Sequence, residues 1–260
     1  MSRSMTAVTD PNRLLALDGR VAIVTGASSG LGERFVHVLL AAGASVVAVA
    51  RRTERLAELE AASDRVLAVP ADVAVPEQVE RIVPAALERF GRVDVLVNNA
   101  GLGRPAPAVS EDLDSFRYTL EVNLVGSFHL ARLAAVPMIE AGAGSIVNIS
   151  SVLGLVAAWP IPDASYSSSK AAVVGLTRDL ACQWAGKGVR VNALAPGFFP
   201  SEGTADMTDE ASQRYLRTGC PMRRMGRPEE LDGPLLFLAS DASTYMTGQV
   251  LTVDGGWTAH

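Results

Sequence analysis

An α/β class fold, one doubly wound parallel sheet with helices on both faces, is predicted by three features of this 260-residue chain. Apolar runs of strand length alternate with longer helical stretches, the pattern of a parallel sheet covered on both sides. A glycine-rich TGASSGLG (25–32) follows the first of these runs and opens a helix. With 48% hydrophobic but only 5% aromatic residues, the core must be built mainly from Ala, Val and Leu. No repeat, low-complexity tract or linker interrupts the pattern, so residues 14–260 read as a single domain behind a flexible leader, 1–13.

The elements follow in order. VAIVT (21–25) is a buried strand that ends in the glycine turn, and 30–43 a helix stopped by Gly43. VVAVA (46–50) is the second strand, followed by a charged helix over 53–62. RVLAVPADV (65–73) supplies the third strand, and 76–90 a helix begun by Pro76 and ended by Gly91. VDVLVNNAG (93–101) is the fourth strand; a long helix over 111–140 carries Pro137 near its end, where a fray or kink is expected. SIVNISS (145–151) is the fifth strand, 164–186 another long helix, and VRVNALAPG (189–197) the sixth strand. An irregular stretch covers 198–227, a helix 228–239, and QVLTVDG (249–255) is the last strand. Right-handed crossovers convert this order into the doubly wound sheet.

Composition excludes several function classes. A formal charge of -5 and pI near 5.3 leave no electrostatic footprint for nucleic acid. Cys182 and Cys220 lie in no metal-ligand spacing, and His37, His129 and His260 stand apart from acidic clusters, so no metal site is expected. The N-terminus lacks the apolar segment of a signal peptide, and no uninterrupted apolar run reaches spanning length. No membrane association and a cytoplasmic location are the expectation.

The glycine turn has the strand-turn-helix context that a phosphate-binding loop needs: Gly26, Gly30 and Gly32 allow a tight turn and close backbone approach, and the helix N-terminus offers free N–H groups. At the end of the second strand, where an acid would hold a ribose diol, stands Arg51, with Arg52 beside it. A guanidinium cannot accept from hydroxyls but clamps a 2′-phosphate, so NADP(H) is preferred and NAD(H) left open. Asp72, after the third strand, reads either as an acceptor for the adenine amino group or as a turn residue before Pro76. Tyr166 and Lys170, four apart in SYSSSK (165–170), share one helix face. An ammonium beside a phenol favours the phenolate and brings its pKa toward the working range.

TGASSGLG, NNAG (98–101), Asn123 in EVNLVG, Ser151 in NISSVLG, YSSSK (166–170) and APG (195–197) occur in one order, and together resemble the short-chain dehydrogenase/reductase superfamily in its single-domain form. The resemblance spans residues 19–256 and implies a single Rossmann-like fold. It implies that Tyr166 is the general acid/base, that Lys170 lowers the Tyr166 pKa and holds the nicotinamide ribose, and that Ser151 donates to the substrate oxygen. Asn123 would hold a water linking Lys170 to solvent. The cofactor would run from Ser28, Ser29 and Leu31 in the glycine loop, past Val73 and Asn99-Ala100-Gly101, to Pro196, Gly197 and Ser201. Ser201 stands where many relatives place a threonine that contacts the carboxamide.

The implied activity is NAD(P)(H)-dependent interconversion of a ketone and a secondary alcohol. Ser151 and Tyr166 lie fifteen positions apart, longer than is usual in the family, and the extra length falls in LVAAWPIPDAS (155–165). Trp159 there, and Phe198 and Met207 beyond the sixth strand, either line an apolar substrate pocket or pack a lid onto the body. The stretch 198–227 resembles the family's mobile substrate loop. Carrier-protein reduction ranks lower, because MIEAGAGS (138–145) offers one acid and no base for docking an acidic carrier. A sugar or polyol dehydrogenase stays open, as does a regulator that senses dinucleotide without turnover. The helices 111–140 and 164–186 resemble those of the family's tetramer contact; Ala134, Ala135, Ala171 and Ala172 suit that contact or packing onto the sheet.

Overall fold

The computed structural model describes residues 10–201, 204 and 210–259. Seven parallel strands form one sheet: β1 (Val21–Thr25), β2 (Ser45–Ala50), β3 (Val66–Pro70), β4 (Val95–Asn98), β5 (Gly144–Ile149), β6 (Val189–Pro196) and β7 (Val250–Val253). Their spatial order is β3-β2-β1-β4-β5-β6-β7, so the chain reverses direction across the sheet between β1 and β4, with Ala22 opposite Val95. A crevice beyond the carboxyl ends of the strands is expected at such a reversal.

The helices are α1 (Pro11–Leu14), α2 (Gly30–Ala41), α3 (Thr53–Ala62), α4 (Pro76–Val79), α5 (Ile82–Phe90), α6 (Leu113–Leu120), α7 (Gly126–Ala141), α8 (Ala164–Trp184), α9 (Glu210–Gly219) and α10 (Asp232–Ala239). Alternate strand residues face opposite layers, as the pleat demands. Ala22, Val24, Val46, Ala48, Val95 and Val97 pack against Phe35 and Leu39 of α2, Leu56 of α3 and Leu235 of α10. Val21, Ile23, Val47, Val49 and Leu96 pack against Ile82 of α5, Leu130 and Met138 of α7, and Leu180 of α8. Each fully buried Val, Leu or Ile contributes about 1.5–3 kcal/mol.

Four details differ from the sequence expectation. The helix over 76–90 is two helices, α4 and α5. The helix over 111–140 runs Leu113–Ala141 as one body with a π-turn at Glu121–Val125, and it continues through Pro137. By length and composition this helix could cross a membrane, but Leu130, Ala131, Ala134, Ala135 and Met138 are buried against the sheet. The stretch 198–227 contains a helix, α9, that its irregular polarity had hidden. Residues 1–9 of the expected leader, Met207, His260 and residues 202–203 and 205–209 of the expected loop lie outside the described residues.

Candidate active site

The end of β1 is tied to the end of β4 through one hydroxyl. Thr25 Oγ1 accepts from Asn99 N at 3.0 Å and Ala100 N at 2.9 Å, while Asn99 Nδ2 donates to Thr25 O at 2.9 Å. Between them the glycine loop turns so tightly that a methyl on Gly32 would lie 2.1 Å from Gly26 O. Gly26 itself has φ +69, which favours glycine. Ser29 precedes α2 without capping it through its side chain, so the first N–H groups of the helix stay turned to the loop. Across the loop, Ser201 Cβ would lie 3.7 Å from a Gly30 methyl, and Thr204 Oγ1 accepts from Ser201 N at 2.8 Å. Ser201 therefore faces the same cradle as Ser28–Gly32.

At the far end of β2, Arg52 Nε donates to Ser28 Oγ at 3.0 Å and its Nη2 to Ser29 Oγ. Arg51 is exposed; its Nη1 lies 3.4 Å from Tyr118 Oη and 3.7 Å from Asp72 Oδ2. Asp72 also receives the N–H of Ala74 at 2.9 Å, so it both shapes its turn and faces Arg51. Tyr118 was not legible as part of this group: it lies 67 positions away and meets Arg51 only because α6 returns over the β2–β3 edge.

The proton-handling residues gather at the ends of β4 and β5. Lys170 Nζ, on buried α8, donates to Ile149 O at 2.8 Å and sits 5.6 Å from the Tyr166 ring centroid. A methyl on Gly101 would lie 3.1 Å from that Nζ and 3.3 Å from Asn123 Oδ1, so the β4 loop passes closely over both side chains. Ser151 Oγ accepts from Leu153 N at 3.1 Å. Ser150, its neighbour, donates instead to Lys170 O at 2.9 Å and faces the core. Of the pair, Ser151 is the less buried, 7% exposed against 2% for Ser150.

Asn123 occupies the π-turn. Its Oδ1 accepts from Leu102 N at 2.8 Å, and its Nδ2 donates to Leu102 O at 2.9 Å and to Ser169 Oγ at 2.9 Å. Ser169 in turn donates to Tyr166 O at 2.7 Å. The amide side chain therefore braces the loop after β4 against α8. A deeper brace lies beneath it. Asn98 Nδ2 donates to Asn148 Oδ1 at 2.9 Å, and Asn148 Nδ2 to Thr177 Oγ1 at 3.0 Å, joining β4, β5 and α8 inside the core. Neither Ser169 nor this ladder carries a local sequence signal beyond lying in or beside a recognised motif.

Electrostatics depart from the sequence expectation. Burial pushes Tyr166 above the ordinary phenol value; the Ser151 hydrogen bond opposes that push, and the charge of Asp163 adds to it. Burial pulls Lys170 down to about 8. The spacing of a tyrosine and a lysine on one helix face suggests a lowered phenol. Here the ammonium points past the ring to Ile149 O, and desolvation of the phenolate dominates.

On the substrate side, Trp159 is 79% exposed on the loop before α8. Phe198 packs 5.7 Å from Tyr215 and 4.8 Å from Trp257, centroid to centroid, which joins α9 to the C-terminal segment. Phe198 also lines a cavity with Phe199, Leu216, Met222 and Trp257, so it both packs this segment and forms a pocket wall. Ala134 and Ala135 are fully buried against the sheet, and so unavailable to a partner, whereas Ala171 is exposed. Among the described residues, no group of three His, Cys, Asp or Glu could hold a metal ion.

A family model described as enoyl-(acyl carrier protein) reductase matches residues 26–258 of this chain. The chain belongs to the short-chain dehydrogenase/reductase superfamily. It is 38% identical over 247 residues to the 3-oxoacyl-(acyl-carrier-protein) reductase of Thermotoga maritima, covering 93% of this chain and 99% of that protein. It is 40% identical over 253 residues to the L-tagatose-forming galactitol 2-dehydrogenase of Cereibacter sphaeroides, covering 96% and 99%. Among solved structures, it superposes with TM-score 0.92 and 36% identity on a gluconate 5-dehydrogenase from Burkholderia cenocepacia J2315 in complex with NADP and tartrate, covering 96% and 100%.

Proposed function

We propose that this superfamily member is an NADP(H)-dependent oxidoreductase that interconverts a small ketone and a secondary alcohol. The observation that carries the reading is the convergence of the Ser151 hydroxyl, the Tyr166 phenol and the Lys170 ammonium at the strand ends beside the glycine cradle. The nicotinamide supplies the hydride when bound. The chain's own residues then handle the proton and the charge on oxygen. Tyr166 gives its proton to the carbonyl oxygen in reduction and takes it back in oxidation. Ser151, anchored by Leu153 N, donates to the same oxygen, so both donors are in place before charge develops. Lys170 lies where Gly101 lets the cofactor's ribose approach, and Asn123 with Ser169 holds Tyr166 and the β4 loop in register.

The cofactor fits the residues present. Gly26 and Gly32 leave room for a pyrophosphate, and Arg51 and Arg52 offer guanidinium groups where a 2′-phosphate would lie. That placement supports NADP(H) over NAD(H), and the gluconate 5-dehydrogenase was crystallised with NADP. Asp72 and Val73 would flank the adenine, and Ser201 and Pro196-Gly197 the carboxamide. The whole of 14–260 would act as one domain, with 198–227 as its substrate loop and Trp159 at the rim.

Two relatives named above act on a carrier-protein thioester and a polyol. A polyol or sugar acid is the second reading, supported by the likeness to a galactitol 2-dehydrogenase and a gluconate 5-dehydrogenase. We further propose a cytoplasmic homotetramer, with the exposed Val125, Phe128 and Val136 of the long helix Leu113–Ala141 covered by a second copy; light scattering showing a monomer would remove this assignment.

The test of the main reading is NADPH oxidation with cyclohexanone, acetophenone and fructose, comparing wild type with Tyr166→Phe. Loss of about 10²–10⁴-fold in kcat/KM is expected. Equal turnover in both would overturn the mechanism, and tight NADPH binding with no turnover of any ketone or alcohol would favour a regulator.

A further inference from the structure

Two arginines follow one another after β2, and their guanidinium groups are used differently. Arg52 commits its Nε and Nη2 edge to the glycine cradle, Nε donating to Ser28 Oγ at 3.0 Å and Nη2 to Ser29 Oγ. Arg51 is tied through Nη1 alone, to Tyr118 Oη at 3.4 Å and to Asp72 Oδ2 at 3.7 Å. Its Nε and Nη2 make no hydrogen bond or ion pair with the described residues. Those two nitrogens form a planar edge of the kind that grips a phosphate through two parallel hydrogen bonds. Arg52 thus shapes the loop, while Arg51 keeps a clamp edge open.

Separate elements supply the anchor for Nη1. Asp72 is fixed in its turn, its N–H donating to Gln78 Oε1 at 2.8 Å and its Oδ1 accepting from Ala74 N at 2.9 Å. Tyr118 arrives on α6, whose start is capped by Asp112 accepting from Asp114 N and Ser115 N. Thr119 is fully buried and fixes which side of α6 faces the core; Tyr118, beside it, stands at the margin of that side. From the loop after β4, the Arg104 guanidinium lies 5.7 Å from the Tyr118 ring centroid and steadies the ring by cation–π attraction. Arg117, the other cation of α6, is committed to Asp114 at 3.1 Å on the exposed face.

Asp72 by itself is a poor anchor for a phosphate clamp. A carboxylate this close draws the whole guanidinium, and such pairs settle into two parallel hydrogen bonds that use up an edge. Its charge also offsets the one a phosphate has to meet. The Tyr118 hydroxyl does neither: it accepts from Nη1, holds the guanidinium short of that pairing and adds no negative charge. We propose that Tyr118 is a positioning residue for cofactor choice, keeping Arg51 out of a bidentate pair with Asp72 and its Nε–Nη2 edge open to a 2′-phosphate. This rests on the reading of Arg51 as the partner of that phosphate. It accounts for a phenol in no motif, 67 positions away, being turned to the end of β2.

Exposure sets the size of the effect. The Arg51 side chain is 67% exposed, so water competes for each of its contacts and the hydroxyl biases an orientation that it does not lock. The bias bears on a ligand that meets Arg51 through a 2′-phosphate and leaves one without that group unaffected.

The experiment measures binding without turnover, by calorimetry of adenosine 2′,5′-bisphosphate and adenosine 5′-monophosphate with the full chain. The two ligands differ by the 2′-phosphate alone. Tyr118→Phe keeps the ring beside Arg104 and removes the hydroxyl. Bisphosphate affinity should fall about three- to tenfold, the worth of one hydrogen bond, while monophosphate affinity stays within about twofold. In an Arg51→Ala background, Tyr118→Phe should have no further effect on the bisphosphate, because the hydroxyl acts through Arg51. Equal losses for both ligands would reduce Tyr118 to structural support and overturn the proposal, as would an additive loss in the double variant. If Arg51→Ala weakens the bisphosphate and Tyr118→Phe does not, the positioning role falls and the Arg51 reading stands. If Arg51→Ala weakens nothing, that reading falls and takes the positioning role with it.

Discussion

At one end of the crevice, Ser151, Tyr166, Lys170 and Asn123 hang on strand ends and on α8, and their supporting polar groups are paired inside the core. At the other end, Arg51 reaches from the end of β2 toward solvent, held by Tyr118 at 3.4 Å and Asp72 at 3.7 Å. The first region is held by backbone: Ile149 O, Leu102 N and O, Tyr166 O and Leu153 N each bind a side chain of the site. The second is held by side chains and screened by water. Geometry that must place a proton to within an ångström is built from groups that cannot move without unfolding. Geometry that only has to prefer one phosphate tolerates slack.

Substitutions at the two ends should therefore fail in different ways. The largest effect is expected at the join of the two regions, at Gly32. Its replacement by Ala drives a methyl into the Gly26 carbonyl, and backbone cannot yield as a flexible side chain does. NADPH affinity should drop roughly a hundredfold, about 2.8 kcal/mol, in a fluorescence titration. Retained affinity would show that the loop relaxes and that the cradle is less rigid than its contacts suggest.

Next comes Asn123→Ala at the braced end. It strips partners from the N–H and C=O of Leu102, at about 1–3 kcal/mol for each group left unsatisfied and inaccessible to water. Denaturant unfolding should show a loss of about 2 kcal/mol or more, with kcat falling further than cofactor binding. If kcat alone falls and stability is untouched, the amide is a direct participant and not a brace.

The smallest effect on the fold is expected at Arg51→Asp. The side chain is exposed, so stability should change by no more than about 0.5 kcal/mol. Preference for NADPH over NADH should nevertheless fall about tenfold or more, and the NADPH affinity of wild type should weaken with added salt while NADH affinity barely moves. An unchanged preference would remove Arg51 from cofactor choice and leave Arg52, bound to Ser28 and Ser29, as the discriminating group.

Much of the fold was legible because parallel strands are buried on both faces. VAIVT and VVAVA read as continuous apolar runs and VRVNALAPG as a largely apolar one, and β1, β2 and β6 match them to within a residue at either end. Helix α9 was not legible: EASQRYLRTG is polar overall, and its burial rests on Leu216 and on the ring stack of Tyr215 with Phe198 and Trp257. The candidate site shows the same division. Gly26, Gly32, Tyr166 and Lys170 announce themselves by spacing, because a tight turn and a shared helix face are local properties. Tyr118, Ser169 and Asp163 do not, because their partners are 67 positions away, wedged in a motif read for other reasons, or brought in by a loop closing from β4.

By itself the sequence determined the alternation of strands and helices, the glycine turn at the first strand, and which residue types could carry a proton and a phosphate. These are short-range consequences of periodicity and side-chain chemistry. Only the tertiary structure decided that Ser150 is spent on Lys170 O, that Asn123 braces Leu102 against Ser169, and that Phe198 meets Tyr215 and Trp257. It also decided that Tyr166 and Lys170 are both buried, which spacing alone does not reveal. Desolvation depends on everything packed around a group and on no local pattern.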